Sequence, residues 1–187
     1  RSGLNHLLGS GLAAYFQGEA PWVFSMRFAG QASRLALNMD MQDIGTSLPP
    51  PLDKVVGAPL SLSLGSAAAD LGPLLHGVDV RLGDRAGGRL LFQHRAAGGW
   101  AFLRGRLDVG GGSPPAPDGT GLHVSVRAPA LDADRWRPVL GAASARQGSG
   151  TPDFLTRFSG EVGGLLMFGR HVGQFSLDML KSPQGWV

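Results

Sequence analysis

The feature that most constrains the fold is a strict alternation of apolar and polar residues, repeated in several short runs. In "WVFSMRFA" (22–29), Phe24, Met26 and Phe28 share one side, with a serine and an arginine between them. Successive side chains of a strand point to opposite faces, so a period of two predicts a half-buried strand.

A second run follows after a short link that contains Gly30. In "RLALNMDMQ" (34–42), Leu35, Leu37, Met39 and Met41 alternate with polar residues. The short link predicts that the two runs pair as an antiparallel hairpin.

The same pattern recurs along the rest of the chain. Further strands are predicted at 60–64, 78–82, 89–94, 100–109, 122–126, 154–168 and 172–180. The apolar sets assigned in three of these runs are Leu60, Leu62 and Leu64; Leu122, Val124 and Val126; and Phe175, Leu177 and Met179. Glycine turns join most of the runs locally, which favours a mainly β fold: a curved, twisted antiparallel sheet that forms an open groove.

One or two short helices are predicted between the strands. "LDADRWRPVLGAA" starts with Asp132 as an N-cap and contains Pro138, so its helix should be short or kinked. In "PPPLDKVVG", residues 51–56 are expected to form one helical turn that ends at Gly57. The prolines would also end the preceding strand, because proline cannot donate to a β-ladder.

Composition and spacing exclude several classes of chemistry. The chain has no cysteine, which rules out disulfides, cysteine-bound zinc and thiol catalysis. Its five histidines show no metal-ligand spacing, and Asp132 and Asp134 are interpreted as helix-start residues. The net charge of +3 comes from scattered basic residues and predicts no nucleic-acid binding. We therefore expect no catalytic residues, no cofactor and no metal, and the chain is not predicted to be an enzyme.

The apolar stripe itself remains as the candidate functional feature. It comprises Phe24, Met26, Phe28, Leu35, Leu37, Met39, Met41, Leu60, Leu62 and Leu64, extended by the apolar sets of strands 122–126 and 172–180. Periodicity alone leaves two interpretations open. A second layer can cover the stripe, as in a closed β-sandwich that serves as a structural or interaction domain. Alternatively, the face is open and receives an apolar ligand, for which the methionines are well suited.

The domain organisation is predicted to be a single β-rich segment, residues 1–187. The chain starts at an arginine, and both of its ends fall in patterned sequence. It contains no run of about 18 apolar residues and no recognisable signal peptide. We therefore expect an internal slice of a longer protein.

Three stretches together resemble the YhdP-type branch of the AsmA-like proteins. The first is a Leu-Pro-x-Pro-Leu-x-Lys segment, matched here by Leu48, Pro49, Pro51, Leu52 and Lys54. The second is a proline-rich loop followed by a Gly-Leu strand, matched by Pro114, Pro115, Pro117, Gly121 and Leu122. The third is a Leu-Asp-x-Asp-x-Trp segment, matched by Leu131, Asp132, Asp134 and Trp136. Their order and spacing support a resemblance over residues 18–187.

The resemblance implies a role in lipid traffic. Such proteins are anchored in the inner membrane of Gram-negative bacteria, and a long β-groove carries phospholipid acyl chains across the periplasm towards the outer membrane. The implied partners are phospholipids and the rest of the same long chain, with its anchor outside this fragment. The proline-rich segment would then lie at the rim of the groove, with Leu48 and Leu52 on the sheet and Lys54 near the mouth. A solvent-exposed Lys54 is the favoured interpretation, and a contact with phosphate headgroups is the alternative.

Overall fold

A computed structural model describes residues 14–29, 32–66, 74–96, 98–111, 119–144, 154–182 and 184–187. The strands are β1 (Phe16–Gln17), β2 (Trp22–Ala29), β3 (Ala32–Asp40), β4 (Gly45–Thr46), β5 (Ser61–Ser66), β6 (Leu75–Leu82), β7 (Ala86–His94), β8 (Trp100–Val109), β9 (Gly121–Ala128), β10 (Leu131–Asp132), β11 (Leu155–Met167), β12 (Arg170–Ser182) and β13 (Gly185–Trp186), and the helix is α1 (Ala133–Ser144).

Most strands join one large sheet in the order β13-β12-β11-β9-β8-β7-β6-β5-β3-β2, with β10 beside β11. The short strands β1 and β4 form a separate two-stranded ribbon. The predicted fold class is confirmed: the protein is mainly β, and its curved sheet is open rather than closed.

Strand direction differs from a purely antiparallel meander in one region. The sheet is antiparallel from β2 to β8, but β9 pairs in parallel with both β8 and β11. Parallel neighbours need a connection that returns along the full strand length. Residues 110–120 separate β8 from β9 in the sequence, and the segment between β9 and β11 contains β10 and α1.

Two glycines in the middle of the sheet mark a close approach between neighbouring strands. A Cβ atom on Gly88 would lie 2.5 Å from the carbonyl oxygen of Arg106, and one on Gly105 would lie 2.9 Å from that of Arg89. No larger residue fits at such distances without a backbone shift. Glycines at such positions permit the tight bending that a curved sheet requires.

The helical predictions have mixed outcomes. The helix that follows Asp132 is confirmed, and it runs for 12 residues across Pro138. The Asp132 carboxylate accepts a hydrogen bond from the Arg135 amide at 3.0 Å, so its role as N-cap is also confirmed. The predicted helical turn at 51–56 is wrong, because that stretch forms turns and a single β-bridge between Lys54 and Thr46.

Candidate functional site

One face of the large sheet carries apolar side chains from strand to strand, and we call it the apolar face. Residues paired directly across neighbouring strands lie on the same face, so the strand register defines its rows. One row crosses nine strands and contains Phe24, Leu37, Leu64, Val80, Gly88, Leu107, Val124, Phe158 and Met179. Each member of this row is apolar or glycine.

The neighbouring row repeats this composition. It contains Trp22, Met39, Leu62, Leu82, Ala86, Val109, Val126, Gly160 and Leu177. Eight steps of about 4.8 Å between strands give each row a length of about 38 Å. The apolar face is therefore a continuous stripe across the sheet rather than a local patch.

Large side chains on the apolar face are exposed near its β2 end. Trp22 is 63%, Phe24 51% and Met26 46% exposed. Towards α1 the same face is buried, since Ala128 and Val162 are each 4% exposed. Among the described residues, no second sheet packs over the large one. The exposed part of the stripe is therefore available to a ligand.

Most residues predicted for the stripe lie on the apolar face. The register places there Phe24, Met26, Leu35, Leu37, Met39, Leu62, Leu64, Leu122, Val124, Val126, Phe175, Leu177 and Met179. Leu60 precedes β5, and the side chain of Phe28 lies outside the described part of the chain. Contact of these residues with lipid stays a prediction.

Met41 is the member of the stripe that lies elsewhere. The run 34–42 was predicted to be strand to its end, but β3 ends at Asp40. Met41 then turns into the segment 41–60, which we call the rim segment. It is buried there, as are Ile44 and Leu48.

Several residues of the apolar face were not singled out from the sequence. They come from the central strands and from β11, and comprise Val78, Val80, Leu90, Leu107, Val109 and Phe158. Their alternation is visible in "VDVRL" and "RLDV", but glycines and arginines interrupt it. The interrupted alternation still predicts the strands. Extending the apolar-polar alternation along each strand would have assigned these residues to the apolar face.

The opposite face of the sheet is polar. Arg89 pairs with Asp79, and the Arg157 guanidinium donates to the Asp178 carboxylate at 2.6 Å. This hydrogen bond holds the pKa of Asp178 below its ordinary value. His123 lies on the polar face and is buried there beside Ser159.

A shallow cavity of about 340 Å³ also opens on the polar face, lined among others by Arg106, His123 and Arg157. Arg157 pairs with Asp178 within the lining, and Arg106 pairs with Asp108. The two faces of the sheet therefore separate apolar from charged surface over most of its width.

Lys54 of the rim segment is buried, and the expectation of a solvated lysine or a headgroup contact at the mouth is wrong. Its side chain is only 4% exposed. The Nζ atom donates to the backbone carbonyls of Gln42, Ile44 and Val55 at 3.1, 2.5 and 3.2 Å. The ammonium thereby replaces lost hydration with carbonyl oxygens and holds the rim segment together.

The rim segment also reaches the distant helix. The Trp136 indole donates its Nε1 hydrogen to the carbonyl of Pro50 at 2.9 Å, although 86 residues separate the two. The rim segment also contacts the β6–β7 turn, where the Arg85 guanidinium donates a hydrogen bond to the Asp53 carbonyl. The Leu-Pro-x-Pro-Leu-x-Lys segment and the Leu-Asp-x-Asp-x-Trp segment therefore meet where the strands of the large sheet end.

Asp134 joins helix α1 to the β11–β12 turn. Its carboxylate accepts hydrogen bonds from the Phe168 and Gly169 amides at 2.9 and 2.8 Å. The sequence predicted only a favourable charge at the helix start. The bonds from Gly169 and Phe168 lower the pKa of Asp134 from its ordinary value of 3.8.

This pKa shift predicts that the contact between α1 and the β11–β12 turn weakens in acid. A carboxyl group whose pKa is lowered by folding contributes stability above its unfolded pKa, and that contribution is lost as the pH falls through the folded pKa. We expect the urea midpoint to fall between pH 6 and pH 3, and to fall less in Asp134→Asn. An equal fall in both proteins would show that ionisation of Asp134 contributes nothing to the acid sensitivity.

The described residues contain no group of three or more metal-ligating side chains. Within the same ranges, no helix has the length and apolar character needed to cross a membrane.

Comparison with known proteins identifies a family. Residues 2–187 match the family model described as YhdP protein. Searches of curated proteins and of solved structures each returned no significant match. At the level of the family, the match indicates lipid transport in the Gram-negative envelope.

Proposed function

This chain belongs to the YhdP family, and from that premise we propose that it is a segment of a bridge-like periplasmic protein whose apolar face carries phospholipid acyl chains between the inner and outer membranes. The observation that carries the proposal is the unbroken, partly exposed apolar stripe across nine strands. The rest of the longer protein, including an inner-membrane anchor, lies outside this segment. The proposed activity is transport and involves no catalysis.

The dimensions of the stripe support conduction rather than the holding of a single ligand. A membrane hydrocarbon core is about 30 Å thick, so one acyl chain spans about 15 Å of it. The stripe is about 38 Å long, more than twice that length. An acyl chain lying along it would therefore meet an equivalent apolar surface ahead as it moves.

The energetics also suit transport. Burial of each CH₂ group is worth about 0.8 kcal/mol and has no directional requirement. A chain can therefore slide from row to row, because each contact that is lost is replaced by an equivalent one. Carboxylates and guanidiniums are concentrated on the opposite face, where they keep the outer surface in water.

The competing interpretation is a closed β-sandwich that serves as a structural or interaction domain. A sandwich requires a second sheet about 10 Å from the first. In the part of the chain that the structure describes, the only other sheet is the two-stranded ribbon of β1 and β4. Exposed Trp22 and Phe24 favour the open groove.

The test is lipid loading of the purified chain. We expect organic extraction followed by mass spectrometry to recover phospholipid that co-purifies with the protein. A photo-crosslinking residue at Leu64 on the apolar face should capture this lipid, whereas one at Ser63 on the opposite face should not. Absence of lipid together with equal labelling at both positions would defeat the proposal.

A further inference from the structure

A cluster of aromatic rings lies at the strand ends opposite the rim segment. The Trp100 indole packs near two imidazoles, with its ring centroid 5.6 Å from that of His76 and 5.2 Å from that of His94. Trp100 starts β8, His94 ends β7 and His76 is the second residue of β6. Three neighbouring strands therefore contribute one amphipathic ring each.

The cluster continues into three phenylalanines. The Phe92 and Phe102 rings pack edge to face at 5.8 Å, and Phe102 packs in the same way against Phe154 at 5.9 Å. Together the six residues make up what we call the aromatic rim: His76, Phe92, His94, Trp100, Phe102 and Phe154. Its phenylalanines are purely apolar, whereas the imidazoles and the indole carry N–H groups.

The aromatic rim lies on the apolar face. His76 pairs with Phe92, Phe92 pairs with Phe102, and His94 pairs with Trp100, so these side chains share a face. Phe92 lies two residues beyond Leu90 along β7, on the same side as the apolar rows. At these ends of β6, β7 and β8, the apolar face therefore carries rings with polar N–H groups beside the apolar rows.

Exposure places the rings at a boundary between apolar surface and water. Trp100 is 52% exposed, and His94 is exposed beside it. Arg95 follows His94 directly and is also exposed. Indole and imidazole rings favour positions where one side is apolar and the other is wet, as in the aromatic belts of membrane interfaces.

We propose that the aromatic rim binds the phosphate-bearing headgroup region of a phospholipid whose acyl chains lie on the apolar face. This inference rests on the proposed function and names the part of the ligand that a purely apolar stripe cannot recognise. The N–H groups of His76, His94 and Trp100 donate to phosphate oxygens. Phe92 and Phe102 contact the first carbons of the acyl chains.

The test compares lipids with and without a phosphate. Short-chain phosphatidylglycerol, the matching diacylglycerol and free glycerol phosphate are titrated calorimetrically into the full chain. The double variant His76→Phe/His94→Phe keeps the rings and removes the imidazole N–H groups. We expect about tenfold weaker binding of phosphatidylglycerol, the loss that corresponds to a hydrogen bond with a charged group, and unchanged binding of diacylglycerol.

A matched control removes a histidine elsewhere. His171→Phe, an exposed position of β12, should leave the affinity for phosphatidylglycerol unchanged. Equal losses for phosphatidylglycerol and diacylglycerol in the double variant would assign the histidines to packing and overturn the inference. Binding of glycerol phosphate as tightly as phosphatidylglycerol would also overturn it, because the ligand would then be a soluble phosphate ester.

Failure of this inference is distinct from failure of the proposed function. If the double variant binds phosphatidylglycerol like the wild type, the headgroup site is refuted while lipid loading stands. If the wild-type chain binds none of the acyl lipids, the proposed function fails, and the headgroup inference fails with it.

Discussion

Replacement of Lys54 by methionine is expected to lower the free energy of unfolding by about 3 kcal/mol. Methionine is an unbranched side chain that replaces the lysine stem as far as Cε and donates no hydrogen bond, so the carbonyls of Gln42, Ile44 and Val55 lose their shared donor. A buried acceptor without a partner costs about 1–3 kcal/mol. Removing the buried charge recovers part of its desolvation cost, which is why the three losses do not add in full.

The measurement is urea denaturation together with a thermal scan. For a chain of this size, 3 kcal/mol corresponds to a fall in Tm of about 6–12 °C. Lys181→Met makes the same chemical change at a half-buried position of β12, outside the rim segment, and should cost less than Lys54→Met because a half-buried ammonium keeps part of its hydration. If Lys54→Met unfolded at the wild-type urea concentration, the three bonds to Nζ would not stabilise the rim segment.

The effect of Lys54→Met should also be local. Hydrogen exchange should accelerate first at the Thr46 and Gly57 amides, which donate to the carbonyls of Lys54 and Gln42 at 2.8 and 2.9 Å. The central strands β6 to β8 should keep their protection, since their ladder bonds do not depend on the rim segment. Uniform acceleration over the whole chain would indicate global unfolding instead.

The apolar face could be predicted from sequence because it depends on local information. Strand side chains alternate with a period of two, so the phase of one run fixes which residues share a face. Leu35, Leu37 and Met39 were assigned in this way, as were the sets near Leu122 and Phe175, and the register places them together. The alternation does not indicate strand direction, because apolar and polar residues alternate in the same way in parallel and antiparallel strands. The parallel pairing of β9 was therefore not predicted.

The contacts of the rim segment and of α1 could not be predicted, because they join residues that are distant in sequence. Lys54 carries a charge, and such residues are almost always exposed unless they are paired. Its burial follows only once the rim segment folds back so that three carbonyls meet at one point. Trp136 matches one motif and Pro50 stands at a variable position of another, but nothing in either motif indicates that they meet. The hydrogen bonds of Asp134 with the β11–β12 turn could not be predicted for the same reason.

Replacement of Met39 by aspartate is expected to abolish lipid transport in the full-length protein while leaving the chain folded. Met39 lies on the apolar face, between Trp22 of β2 and Leu62 of β5. A carboxylate there stays hydrated, because burying it unpaired against acyl chains would be costly. Water drawn into the stripe then interrupts the apolar path at this strand. Crosslinking of lipid at a neighbouring position such as Leu64 should fall to background.

The matched control adds the same charge one residue away. Asn38→Asp places its carboxylate on the opposite, exposed face, and Asp40→Asn changes another exposed position next to Met39. Both should transport lipid normally and change stability by about 0.5 kcal/mol at most. If Met39→Asp unfolded the protein while both controls folded, position 39 would be closed core and the sandwich interpretation would gain. If it folded and still loaded lipid, acyl chains would not pass over Met39, and the conducting path would have to lie on other rows of the apolar face.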